Sequence, residues 1–131
     1  MDGAKARLGG RQIAVAEHVA TESDSSGRRH VGKATVFVSH VCKMRTQEFF
    51  EVCLLELRDD DCAWIDLFNH NQFSTPLGVG LENTEFWIAK FETLVGSIGR
   101  VMAIVTEWEN PVLLVWCMFE LNAAIDTGAE L

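Results

Sequence analysis

Val101-Met102-Ala103-Ile104-Val105, leading through Trp108 and Pro111 into Val115-Trp116-Cys117-Met118-Phe119-Glu120-Leu121, decides the fold. The first five residues are a short apolar run of strand length, and the segment from Val112 to Asp126 has the length and apolar content of a helix packed on a sheet. A helix advances about 100° per residue, so Trp116, Cys117, Ala123 and Ala124 surround Glu120, whereas Asn122 and Asp126 project elsewhere. One carboxylate therefore sits on an apolar helix face. Such a group costs free energy unless it is paired, hydrogen-bonded or shifted in pKa, which makes Glu120 a candidate functional residue; the competing reading is a partly buried structural glutamate.

Upstream, the same alternation of strand and helix recurs twice. Thr35-Val36-Phe37-Val38-Ser39-His40 is a β-branched and aromatic run suited to a buried strand. Phe49 to Leu57 repeats apolar residues at mainly helical spacing and stops at Asp59-Asp60-Asp61. Cys62 to Phe68 reads as a second buried strand, Asn69 to Gly80 as a loop, and Phe86 to Ile98 as an amphipathic helix ending near Gly99. The order βαβαβα implies parallel pairing through right-handed crossovers, hence an open α/β sheet. Ligands of such sheets bind beyond the carboxyl ends of the strands, which are occupied here by Ser39 and His40, by Asp66 to His70, and by Thr106, Glu107 and Trp108. Because the chain stops soon after the third helix, further strands are expected to be lacking.

The 131 residues, 48% of them hydrophobic, suffice for one core. Residues 1–33, with the run Ser23-Asp24-Ser25-Ser26-Gly27, read as a flexible polar leader, and residues 34–131 as one partial domain. Apolar runs are too short for a transmembrane span and the N-terminus is too polar for a signal peptide, so a cytoplasmic protein is expected. A net charge of -8, with only Arg28, Arg29 and Lys33 as a short basic patch, disfavours nucleic acid and anionic membranes. Cys42, Cys53, Cys62 and Cys117 form no C-x-x-C pair and suit buried thiols. Asp66 and His70 could be combined with His40 as ligands, but without diagnostic spacing, so no metal is expected.

Three blocks, Val36-Phe37-Val38-Ser39, Trp64-Ile65-Asp66-Leu67 and Trp116-Cys117-Met118-Phe119-Glu120-Leu121, resemble in order and spacing the TIR (Toll/interleukin-1 receptor-like) domain over about residues 34–126. The third resembles the W-C-x-x-E-L segment of plant-type members, and Ser97-Ile98-Gly99-Arg100 with the strand after it resembles protist TIR-like modules. The resemblance implies a flavodoxin-like three-layer fold that self-associates and, in one branch, hydrolyses NAD with no cofactor beyond that substrate. Glu120 then matches the catalytic glutamate. Breaking the nicotinamide–ribose bond passes through an oxocarbenium-like state that an anionic carboxylate stabilises, and nicotinamide leaves as a neutral ring needing no general acid. Arg100 is a candidate cation to keep Glu120 ionised, Ser39, His40 and Asp66 are candidate ribose or phosphate contacts, and Trp108 and Trp116 candidate stacking aromatics. Core packing is the competing reading of the tryptophans. Two departures, at Val41-Cys42-Lys43-Met44-Arg45 and in the loop from Asn69 to Gly80, favour the alternative of a non-catalytic adaptor that associates with its own kind. A partial gene product with neither activity is a third alternative.

Overall fold

The computed structural model describes residues 14–41, 44–69, 84–105 and 111–131, with the side chains of 84 and 111–114 outside the described set. Its order is α1 (Val15–His18), β1 (Val36–His40), α2 (Thr46–Glu56), β2 (Ala63–Ile65), α3 (Asp66–Asn69), α4 (Thr84–Ile98), β3 (Val101–Ile104) and α5 (Pro111–Thr127). The three strands form a parallel sheet in the order β2-β1-β3, which places β1 at the centre. The expected open parallel α/β sheet is therefore present in small form. The second strand is shorter than its sequence suggests: it ends at Ile65, and Asp66 starts a helical turn in which the Asn69 side chain accepts a hydrogen bond from the Ile65 amide at 3.1 Å. A β-rich composition yields there to a local side-chain-to-backbone bond.

Both faces of β1 are covered, which is why its residues read as a continuous apolar run. On one face Phe37, with Trp64 stacked on it at 4.8 Å and 14°, packs with Phe91 and Val95 of α4, Val101 of β3, and Ala123 and Ala124 of α5. On the other, Val38, Ile65 and Ile104 meet Phe49 and Cys53 of α2. Helices thus lie on both sides of the sheet, α2 on one and α4 with α5 on the other. Gly99 (φ 79°) and Gly128 (φ 69°) end α4 and α5 in the left-handed region, and the Ala129 amide reaches back to the Ala124 carbonyl at 2.9 Å in a Schellman-type cap. After that cap, Val101 N donates to Glu130 O at 2.7 Å and Glu130 N to Gly99 O at 3.0 Å, a parallel bridge against the start of β3.

Part of the expected leader is described. It contains α1 and an antiparallel bridge between Ser23 and Arg29, closed by Asp24, whose carboxylate accepts from the Ser26 and Arg28 amides. Arg28 donates to the Asp59 carbonyl at 2.5 Å, tying this segment to the turn before β2. A cavity of about 290 Å³ lies there, lined by His30, Cys62, Trp64, Phe68 and Asn69 among others. Residues 1–13 of the expected leader lie outside the described residues.

The amino ends of the strands are joined by an ion pair. Asp61, just before β2, receives both guanidinium nitrogens of Arg100, just before β3, at 3.1 and 2.5 Å, and its carboxylate also accepts from Thr35 Oγ1 and the Arg58 amide. Thr35 Oγ1 in turn accepts from the Cys62 amide at 2.9 Å. The Asp61 side chain is only 4% exposed, and the guanidinium holds its carboxyl down at about 2. Arg100→Ala leaves that carboxylate with two neutral donors only. We expect a loss of about 2 kcal/mol, read as a lower denaturation midpoint with unchanged m-value, and an unchanged midpoint would show that the clamp carries no net stability.

Candidate functional site

Glu120 is held by its helix against the sheet. Its neighbours one turn away, Cys117, Ala123 and Ala124, are buried, and Glu120 itself is 6% exposed, while Asn122 and Asp126 face outward and bond to each other at 2.8 Å. Burial pushes its carboxyl up to about 7; the Ser39 hydroxyl works against that shift and the Asp66 carboxylate adds to it. Ser39 is 1% exposed, and its Oγ has no complete hydrogen bond among the described residues. The hydroxyl is near enough to Glu120 to favour its charge, without the geometry of a finished bond.

Strand register explains this meeting. Ser39 pairs with Ala103 of β3, and Val38, one residue earlier, pairs with Ile65, after which Asp66 opens α3 on the other flank. Side chains alternate along a strand, so Ser39 shares the α4–α5 face with Phe37. Ala103 in the same row is exposed, so the sheet is not fully covered beside Ser39. The site lies toward the carboxyl end of β1, where the chain steps from β2 over β1 to β3. That switch in strand order is where open α/β sheets form their crevices.

The structure separates other candidates from Glu120. His40 points to the opposite face of β1, its ring 4.7 Å from that of Phe49 in α2, and burial lowers its pKa although Asp66 opposes the shift. Ser39 and His40, adjacent in sequence, therefore cannot share one contact surface as the sequence suggested. Arg100 is corrected outright. It precedes β3, at the amino end of a parallel sheet, and is bound to Asp61, so it cannot supply the cation for Glu120. Trp116 packs against Trp87, Phe91 and Phe119 at 6.0 to 6.3 Å between ring centroids, with part of its surface exposed. It sits at the rim of this aromatic cluster, 37% exposed, although the sequence placed it with Cys117, Ala123 and Ala124 around Glu120. Trp108, His70 and nearly all of the loop from Asn69 to Gly80 lie outside the described residues.

Among the described residues, no group of three or more His, Cys, Asp or Glu side chains could hold a metal ion, and no helix is long and apolar enough to cross a membrane. The cavity at the β2 edge is lined by none of the candidate residues. Cys53 and Cys117 are buried thiols and Cys62 a half-buried one. No family model matches the chain, and no match was found among curated proteins or solved structures.

The raised Glu120 pKa has a signed consequence for stability. Between about pH 4.5 and 7 the unfolded chain has released this proton and the folded chain keeps it, so stability falls as pH rises through that window and levels above it. The span corresponds to about 3 kcal/mol. Glu120→Gln is expected to remove this dependence and to be more stable than the native chain at pH 8. Parallel pH–stability curves for the two proteins would show that the carboxyl is not buried in solution.

Proposed function

We propose that the chain is a TIR-like domain of flavodoxin-like ancestry that cleaves the nicotinamide–ribose bond of NAD, with Glu120 as the carboxylate that stabilises the oxocarbenium-like transition state. The observation that carries this reading is a buried glutamate meeting a buried, incompletely bonded hydroxyl, Ser39, at the switch point of the sheet. Preorganised charge in a water-poor site is worth more than the same charge in water. The strand order β2-β1-β3 is also that with which a flavodoxin-like sheet begins.

Proton occupancy sets the working range. With its carboxyl near 7, Glu120 is ionised only in part at neutral pH, and a positively charged nicotinamide ring drawn beside it favours the ionised form. Below about pH 7 the rate is expected to rise roughly tenfold per pH unit and then to level. Nicotinamide release from NAD by concentrated protein, followed over pH, tests this. Glu120→Gln, checked to be folded, should lower release by at least about 100-fold. A folded native chain that releases no nicotinamide would end the enzymatic reading.

A second reading, homotypic association without catalysis, is favoured by apolar surface. Leu54 and Leu55 on α2 are 83% and 81% exposed, and Met118 and Ile125 on α5 are 60% and 69% exposed. Leu54 and Leu55 are adjacent, and Met118 and Ile125 are seven residues apart on one helix, so each pair forms a local apolar patch of the kind that marks contact surfaces. Leu54→Lys with Leu55→Glu is expected to shift sedimentation toward monomer at concentrations where the native chain associates. Identical sedimentation of the two would place any interface elsewhere.

A further inference from the structure

We propose that Asp66 is a second catalytic carboxylate of this site, the base that takes a proton from the water attacking the ribosyl carbon. The assignment rests on the NAD-cleavage reading above and adds to it the group that completes hydrolysis. Register provides the placement. Val36, Phe37 and Val38 pair with Ala63, Trp64 and Ile65, so Ser39 and Asp66 each follow directly on the last paired residues, Val38 and Ile65. Phe37 lies on the α4–α5 face, and alternation puts Ser39 and its partner Ala103 in one row on that face, with Asp66 opening α3 directly after Ile65 on the other flank of β1. Glu120 of α5 lies over this row.

Three features of the row point to a ligand. Ser39 Oγ is buried with no complete partner among the described residues, a costly state unless something binds it. Ala103 offers no bulk and is exposed, so the row is open on the β3 side. The two carboxylates differ in setting: Glu120 is buried among alanines and a thiol, whereas Asp66 is half-buried at the start of α3, nearer to solvent. Two carboxyl groups in unlike settings are how glycoside hydrolysis divides charge stabilisation from proton transfer. The Asp66 charge acts on both Glu120 and His40.

The step balances as follows. The ribosyl C1′–N bond breaks and its electron pair passes to the pyridinium nitrogen, so nicotinamide departs neutral. Water oxygen bonds to C1′, one water proton passes to the Asp66 carboxylate and then to solvent, and Glu120 stays anionic throughout. The products are nicotinamide, ADP-ribose and a proton.

Azide tests the role, because it attacks C1′ without a proton to lose. The full chain is incubated with NAD and sodium azide, and ADP-ribose and ADP-ribosyl azide are separated by chromatography. In Asp66→Asn the ratio of azide product to ADP-ribose is expected to rise at least about tenfold, with azide product retained; in Glu120→Gln both products are lost. Asp66→Ser, which keeps a polar residue at the start of α3, gives the same ratio if Asp66→Asn does not fold. An unchanged ratio in a folded Asp66 variant, or loss of both products, overturns the base assignment while leaving NAD cleavage intact. Absence of nicotinamide from the native chain with and without azide overturns NAD cleavage itself.

Discussion

Covering β1 on both faces constrains everything around it. A central parallel strand has no solvent side, so each of its side chains must be apolar or must find a polar partner from the layer above or below. Val36, Phe37 and Val38 meet that demand by packing. Ser39 cannot, and the group brought to it is the carboxyl of Glu120, which is itself desolvated by the packing of α5. Two polar groups that would each be costly alone are thereby placed together at the end of the strand where an open sheet leaves room for a ligand.

The opposite end of the sheet does different work. Arg100 and Thr35 stand immediately before β3 and β1, and Asp61 two residues before β2, and their ion pair and hydrogen bonds tie the three strand starts together. Because parallel strands put every amino end on one side, a residue before a strand and a residue after one are separated by the strand's length. Stabilising charge is thus kept away from the carboxyl-end row. A cation beside Glu120 would hold it ionised, and none acts on it among the described residues. The ionised form of Glu120 is correspondingly costly to the fold.

Helix α5 shows how one element can serve the core and leave apolar surface. It is apolar nearly all round: Cys117, Ala123 and Ala124 are buried, while Met118 and Ile125 are exposed. A helix of this kind is ordinarily enclosed on more than one side. On its sheet-facing side Ala123 and Ala124 pack with Phe37 of β1 and Val101 of β3, and Glu120, one turn away, is buried with them.

Periodicity alone determined the alternating elements, the parallel sheet and the isolation of Glu120 among Cys117, Ala123 and Ala124, because strand and helix repeats are local and their apolar patterns were unbroken here. The same local rule should have parted Ser39 from His40, since neighbours in a strand face opposite ways. Their common place at a strand end conceals that they face opposite layers. Only the tertiary structure decided the rest. Asp61 is 39 residues from Arg100, Ser39 is 81 from Glu120, and nothing in their local sequence records that they meet. Asp66 is legible as a polar residue near a strand end, but which strand end it stands next to follows from the register of β1 with β2, Val38 against Ile65, a long-range pairing set when the sheet closes.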